Sequence, residues 1–182
     1  LDYEKIDKMA VYLSQLRNNK GRIFFIGVGG SAANCSHAVN DFRKITNIEC
    51  YAPTDNVSEL TARTNDEGWD TVFSEWLKVS RFCSDDKLLI FSVGGGISDE
   101  KLSVNIFEAI RLAKEVGAES VCIVGKPDGF AAQNCDVSIV VPVSNPKHLT
   151  PHAEAFAAVI WHLMVSHPLL KETDTKWESV GA

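Results

Sequence analysis

Gly27-Val28-Gly29-Gly30-Ser31 is the stretch that decides how this sequence folds. It follows an apolar run, Arg22–Ile26, typical of a buried parallel strand, and precedes Ala32–Ile45, which is predicted to be a helix. A strand, a glycine turn and a helix in this order aim backbone N–H groups and a helix N-terminus at one place, which attracts an anion such as phosphate. The spacing matches neither the dinucleotide fingerprint nor the Walker loop.

A second glycine-rich turn of the same kind lies further along the chain. The predicted strand Lys87–Ser92 runs into Val93-Gly94-Gly95-Gly96, with Ser98 and Ser103 after it. A serine in such a place is more often a helix cap, worth about 1 kcal/mol, and a glycine turn alone can be a tight turn without a ligand. Two such turns favour a shared anion site. Hydroxyls and backbone N–H groups would hold the anion there, because neither turn carries a basic residue.

Strand-like runs alternate with helical stretches along the chain, which predicts an α/β fold with a mostly parallel sheet. The predicted strands are Arg22–Ile26, Ile48–Ala52, Lys87–Ser92, Ser120–Val124 and Val137–Val141. The predicted helices are Leu1–Asn18, Ala32–Ile45, Val57–Arg63, Trp69–Val79, Asp99–Val116 and His152–Val165. Ligands of such sheets bind beyond the carboxyl ends of the strands, where both glycine turns lie and where Asp55 follows the second strand.

Composition narrows the class of protein. A chain of 182 residues can form one domain with a real core, and its net charge of -6 argues against nucleic acid as the main partner. No apolar run has the length of a membrane span, and without a recognisable secretory signal we expect a cytoplasmic protein. The 5 cysteines form no CxxC pair. They are typical of small buried hydrophobic residues in a reducing compartment, and nothing supports a thiol catalyst.

Two histidines and two carboxylates suggest metal binding or acid–base chemistry. His37 and Asp41 are four residues apart, which places both side chains on one face of the predicted helix Ala32–Ile45. The alternative is that they form a pair on the protein surface without a functional role. Glu154 and His162 lie on an apolar helix, where buried polar groups need partners. The set suits Zn²⁺ or a general acid and base. Eight helical residues rise about 12 Å, which is far for two ligands of one ion unless the helix bends or two subunits contribute.

Three further histidines are weaker candidates, since each is more typical of a loop or a helix end: His148, His152 and His167.

These residues resemble the SIS (sugar isomerase) domain family and, within it, the phosphoheptose isomerases. The family pattern G-N-G-G-S followed by H-x-x-x-E is similar to Gly27–Ser31 followed by His37 and Asp41. The family turn S-T-S-G-N-S is similar to Ser92–Gly95 with its last serine at Ser103. The family pair Q-x(7)-H is similar to Glu154 and His162, and the likeness runs from the first strand to the last helix.

The resemblance implies a three-layer, flavodoxin-like SIS domain, with a five-stranded parallel sheet flanked by helices, over residues 1–182. A leading helix (about 1–18) and a short tail (about 171–182) would belong to it. It implies an isomerase of aldose and ketose phosphates, most specifically one that converts sedoheptulose 7-phosphate into D-glycero-D-manno-heptose 7-phosphate for surface lipopolysaccharide. It further implies a homotetramer with active sites between subunits, and zinc bound by residues matching His37, Asp41, Glu154 and His162.

From these parallels we expect Asp41 and His162 to transfer the proton through an enediol. The residues expected to bind substrate or its phosphate are Gly29, Gly30, Ser31, Asp55, Ser92, Gly94, Ser103 and Glu154.

The sequence departs from the family pattern at five positions: Val28, Asp41, Val93, Gly94 and Glu154. The valines and Gly94 remove polar contacts, whereas Glu154 adds a negative charge. Two alternatives therefore stay open. One is a non-catalytic SIS module that binds a sugar phosphate or a protein partner and regulates. The other is an isomerase of a smaller or differently modified sugar phosphate.

Overall fold

The computed structural model describes residues 1–96 and 102–180, without the side chains of Trp177 and Glu178. The strands of its sheet are β1 Ile23–Ile26, β2 Cys50–Tyr51, β3 Lys87–Ser92, β4 Glu119–Val124 and β5 Val137–Val140. The helices of the described part are α1 Tyr3–Asn18, α2 Gly30–Thr46, α3 Val57–Asp66, α4 Val72–Val79, α5 Val104–Val116, α6 Phe130–Asn134, α7 Leu149–Val165 and α8 Lys176–Ser179. None of the helices among these residues is long and apolar enough to cross a membrane.

All five strands run parallel, in the order β2-β1-β3-β4-β5. Alternating side chains of β1, β3 and β4 enter two separate cores. Phe25 and Phe91 face the core built with α1, α2 and α7, whereas Phe24 and Ile90 face the core built with α4 and α5. The predicted three-layer α/β architecture, with its five-stranded parallel sheet, is confirmed.

The strand order places the binding edge. The chain passes from β1 outward to β2 and then returns across β1 to β3, so the order reverses between β1 and β3. A crevice forms beyond the carboxyl ends of the strands at such a reversal. Both glycine turns leave the sheet at this point, one after β1 and the other after β3.

The leading helix buries its apolar stripe on the sheet. Ile6, Met9, Ala10, Leu13 and Leu16 are all buried in the same core as Phe25. The sequence left open whether this stripe packs on the sheet or on a second subunit. In the structure it packs on the sheet. The start of the tail is also held by the chain, because the N–H groups of residues 172 and 173 both donate to the carbonyl of Ile45.

Several predicted boundaries were wrong. Helix α5 begins at Val104 rather than at Asp99, because Ser103 has a φ of 54° and a left-handed residue ends a right-handed helix. Residues 97–101, including Ser98 and Asp99, lie outside the described residues. Helix α3 continues to Asp66, through part of the predicted connection.

Two other differences concern the second half of the chain. Helix α6, Phe130–Asn134, was not predicted, since five residues are too few for a helical period to show. Helix α7 begins at Leu149 and includes Pro151, which is tolerated in the first turn because its missing N–H would have no partner there.

An ion pair stabilises the opposite, amino edge of the sheet. The Asp86 carboxylate is buried and accepts from Arg22 Nε at 2.9 Å, from an Arg22 terminal nitrogen at 2.7 Å and from the Cys83 N–H at 3.0 Å. Asp86 also raises the pKa of Arg22, through its side-chain hydrogen bonds. Arg22 Nη1 donates to the Ser80 carbonyl, and Nη2, which also donates to Asp86, donates to the Arg81 carbonyl. The pair thus joins the start of β1 to the segment before β3.

Arg22→Ala should therefore lower the free energy of unfolding by roughly 3 kcal/mol, because it leaves the buried Asp86 carboxylate without its partner. Urea denaturation measures the change. The double variant Arg22→Ala/Asp86→Ala should recover part of the loss, since no charge then remains buried. Lys78→Ala, which breaks an exposed pair with Glu75, serves as the control and should match the wild type. Equal stability of Arg22→Ala and Lys78→Ala would contradict this account.

Candidate active site

The first glycine turn presents the N-terminus of α2. Gly29 has a φ of 63°, a conformation that favours glycine, and α2 begins at Gly30. The carboxylate of Glu154, on α7, lies over Gly30, so that a Cβ there would be 2.5–2.6 Å from the carboxylate atoms. The amide of Asn34 donates to the Glu154 carbonyl at 2.9 Å and joins the two helices. A negative charge is favourable at this end of a helix, so the first turn already faces an anion of the protein itself.

The second glycine turn, defined as residues 93–96, is fastened by Ser92. The Ser92 hydroxyl is buried and accepts from the N–H of Gly95 at 3.0 Å. Ser103 precedes α5 and lies beside the turn, with its carbonyl oxygen 3.3 Å from where a Cβ of Gly96 would be. Its side chain makes no capping hydrogen bond to α5, which leaves the hydroxyl free for another role.

Three of the four predicted metal ligands come together between α2 and α7. His37, Asp41 and His162 each offer one ligand atom, and these atoms all lie within 4.8 Å of one another. Asp41 Oδ2 is 3.4 Å from Nε2 of His37 and 3.4 Å from Nε2 of His162. Both imidazoles are about half exposed, at 57% and 51%, whereas the Asp41 side chain is only 13% exposed. The cluster therefore has a buried carboxylate and two imidazoles open to a ligand.

Asp41 is held by two residues that the sequence reasoning missed. The indole N–H of Trp161 donates to Asp41 Oδ2 at 3.2 Å, and the Asn40 amide donates to Oδ1 at 3.0 Å. Trp161 is buried and stacks on Phe91 of β3, with ring centroids 5.7 Å apart. The sequence does contain a sign of this contact. A tryptophan next to His162 on an apolar helix is expected to be buried, and a buried indole N–H needs a hydrogen-bond acceptor nearby.

His162 is oriented by its own helix. Its Nδ1 lies 2.7 Å from the carbonyl oxygen of Ala158, and a carbonyl can only accept, so Nδ1 carries the proton. In the neutral ring Nε2 then holds the free lone pair, and Nε2 is the atom that faces Asp41. This arrangement is typical of a histidine that ligates a metal or accepts a proton.

The geometry of the cluster fits a divalent ion. Ligands bound at 2.0–2.1 Å in a tetrahedron are about 3.3–3.4 Å apart, which follows from the usual bond lengths. Both separations of 3.4 Å match that edge and exceed an ordinary charged hydrogen bond. Imidazole nitrogen and carboxylate oxygen together suit a borderline transition metal.

The other predicted site residues lie apart from this cluster. Within the chain the fourth predicted ligand, Glu154, is not in the His37–Asp41–His162 group and faces the first glycine turn instead. Asp55 accepts a hydrogen bond from the Ser36 hydroxyl of α2. The three weaker candidates also lie elsewhere: His167 pairs with Asp7, and His148 stacks near His152 at the start of α7.

Two of the buried thiols, those of Cys35 and Cys50, are poor nucleophiles. Burial raises the pKa of the Cys35 thiol, and that of Cys50 to about 12, so both stay protonated at neutral pH. Cys83 is exposed but lies at the amino edge beside Asp86, away from the glycine turns.

An apolar face surrounds His162 on the outside of α7. Val159 and Leu163 are 45% and 41% exposed, and with Ala158 and Ser166 they line a shallow cavity of about 450 Å³ that includes His162. The half-exposed imidazole of His162 thus lies within an apolar surface that is exposed to solvent in the single chain.

Comparisons with known proteins identify relatives over most of the chain. A lincomycin biosynthesis protein from Streptomyces lincolnensis is 34% identical over 81% of this chain, which spans only 56% of that relative. A phosphoheptose isomerase from Solidesulfovibrio magneticus is 31% identical over 88% of this chain and 76% of its own length. The structure of a phosphoheptose isomerase from Neisseria gonorrhoeae is similar with a TM-score of 0.77, at 28% identity, over 90% of this chain and 84% of that chain. No protein-family model matches the chain.

The parallel sheet with two glycine turns at the reversal of strand order, and the polar cluster between α2 and α7, define an SIS-domain sugar-phosphate isomerase. Within that class, the chain belongs to the phosphoheptose isomerase family.

The cluster predicts metal binding that depends on Asp41. The protein should bind one divalent transition metal per chain, and Asp41→Asn should weaken binding roughly tenfold or more, because the anionic ligand between the two imidazoles is lost. Competition with a metal-indicator dye measures the affinity. His148→Gln removes an exposed histidine outside the cluster and is the matched control, expected to bind as the wild type does. An Asp41→Asn variant with unchanged affinity would show that the cluster is not the site.

Proposed function

We propose that this protein is an aldose–ketose isomerase whose substrate is sedoheptulose 7-phosphate and whose product is D-glycero-D-manno-heptose 7-phosphate. The observation that carries the proposal is the His37–Asp41–His162 cluster, with its buried carboxylate and two open imidazoles. Its helices are the two that meet at the first glycine turn. The relatives are named phosphoheptose isomerases, and the family resemblance adds which heptose phosphates are interconverted. The role would lie in heptose synthesis for surface lipopolysaccharide, in the cytoplasm.

Substrate binding divides between the two turns. The second glycine turn and the hydroxyls of Ser92 and Ser103 bind the phosphate, and Gly94 lets it approach the backbone closely. The first turn, with Gly29, Gly30 and Ser31, faces the Glu154 carboxylate.

A carboxylate repels phosphate but accepts hydrogen bonds from sugar hydroxyls, so Glu154 and the first turn bind the sugar. Asp55 extends this polar lining, and the Ser36 hydroxyl orients it.

The chemistry is a proton transfer between neighbouring carbons. A base removes a proton from C1 of the ketose, the electron pair of that C–H bond forms the C1=C2 double bond, and the C2 carbonyl oxygen takes up a proton to give the enediol. The C1 hydroxyl then loses its proton as the aldehyde C=O bond forms, and the electron pair of the double bond takes a proton at C2. Asp41 and His162 are the catalytic pair, because both side chains can exchange a proton and both belong to the one cluster.

Zinc is the metal that we propose for the cluster, and it would supply charge stabilisation for the enediolate oxygen. His37, Asp41 and His162 would hold it, with Glu154 as the fourth predicted ligand, contributed across subunits. The exposed apolar face of α7 beside His162 favours the predicted homotetramer with sites between subunits.

The experiment is NMR of sedoheptulose 7-phosphate with the purified protein in D₂O, with and without a chelator. We expect aldose-phosphate signals with deuterium at C2, lost on chelation and restored by Zn²⁺. His162→Gln should lose turnover by at least a hundredfold, in line with general acid–base contributions. His148→Gln is the control, with wild-type turnover expected.

Two outcomes would contradict the proposal. Binding of the sugar phosphate by metal-replete protein without any turnover would favour the regulatory module. Turnover only of another sugar phosphate would favour the changed specificity that Val28, Val93 and Gly94 suggest. Other sugar phosphates are worth testing because one relative is a lincomycin biosynthesis protein.

A further inference from the structure

The segment Gly125–Ala131 contacts every residue of the second glycine turn. The N–H of Gly125 donates to the Val93 carbonyl at 3.0 Å, that of Phe130 to the Gly96 carbonyl at 3.1 Å and that of Ala131 to the Gly95 carbonyl at 2.8 Å. The carbonyl of Gly94 lies against Gly129. Four successive carbonyls of the turn therefore face one segment, which we call the template segment.

This contact decides where the N–H groups of the turn point. In a planar trans peptide the N–H is directed opposite to the preceding carbonyl. With the carbonyls of 93, 94 and 95 held on the template side, the N–H groups of Gly94, Gly95 and Gly96 point away from it. That of Gly95 donates to Ser92, and among the described residues the other two have no partner. Successive N–H groups on one side form a concavity that binds anions.

Gly129 is the residue on which the close approach depends. Its φ of -68° is ordinary for any residue, so backbone conformation does not demand glycine. A Cβ there would instead overlap the Gly94 carbonyl oxygen and lie 3.0 Å from its carbon and 3.3 Å from Gly95 Cα. These are backbone atoms, which cannot rotate aside as the end of a side chain can.

We propose that the template segment preorganises the second glycine turn for phosphate, with Gly129 as its positioning residue. The inference rests on the proposed phosphate binding by that turn. Donors that already point at the anion need no rearrangement when it binds, which strengthens binding. Gly129 contacts the backbone of the turn, and it acts through the direction of the N–H groups of Gly94 and Gly96.

Gly129→Ala tests the inference against a matched control. Gly21 is also buried, has no positive φ, and its Cβ would overlap a backbone carbonyl oxygen, that of Asp85, at the amino edge of the sheet. Both variants should lower the thermal midpoint. Only Gly129→Ala should weaken the binding of inorganic phosphate, by about tenfold or more, as expected for loss of a charged hydrogen bond. Its KM for sedoheptulose 7-phosphate should rise while kcat changes little.

The outcomes separate this inference from the proposed function. Wild-type phosphate affinity in Gly129→Ala would contradict the role proposed for the template segment and would leave the isomerase proposal unaffected. A wild-type protein that turns over the sugar phosphate but binds it without the second turn, shown by unshifted Gly94 and Gly96 amide resonances on adding phosphate, would overturn both phosphate assignments. If Gly129→Ala does not fold, Gly125→Ala replaces it. Its Cβ would lie 2.8 Å from the flexible Leu149 end and 3.0 Å from the Val93 carbonyl, and a smaller affinity loss is expected.

Discussion

The hydrogen bond from the Trp161 indole to Asp41 is the contact on which the candidate site depends. It joins α7 to α2 at 3.2 Å, and it satisfies one oxygen of a carboxylate that is almost buried. Without partners such a carboxylate is costly to bury. Trp161 in turn stacks on Phe91 of β3, so the position of the carboxylate follows from the sheet itself. The two imidazoles are then arranged around an anion whose place is set by the core.

The two edges of the sheet have different tasks. At the amino edge, Arg22 and Asp86 tie β1 to the segment before β3 and contribute stability. At the carboxyl edge lie the turns after β1 and β3, where the N–H groups of Gly94 and Gly96 have no partner among the described residues. Polar groups that are fully paired stabilise, whereas groups left open can bind a ligand. Other segments hold both glycine turns, α7 in one case and the template segment in the other.

Much of this could be predicted from sequence, but not all of it. Strand β3 agrees with its predicted bounds because an apolar run between polar ends has one interpretation, and the helical spacing of His37 and Asp41 places them on one face in any context. The start of α5 could not be predicted, since periodicity does not reveal the left-handed Ser103. The role of Trp161 was not predicted, since it depends on a partner 120 residues away in the sequence. The separation of Glu154 from the cluster followed from helical rise, whereas its place over Gly30 required the packing of two helices.

Replacing Trp161 by Phe tests the central claim most directly, because it removes the indole N–H and keeps an aromatic ring against Phe91. Metal affinity and the rate of solvent deuterium exchange into the sugar phosphate should be measured together with the unfolding midpoint. If Trp161 holds the Asp41 carboxylate in place, the metal affinity and the exchange rate should both fall by about tenfold or more, while the protein stays folded. Losses of this size are typical when hydrogen-bond partners of metal ligands are removed. Wild-type affinity and exchange in a folded Trp161→Phe protein would contradict the account.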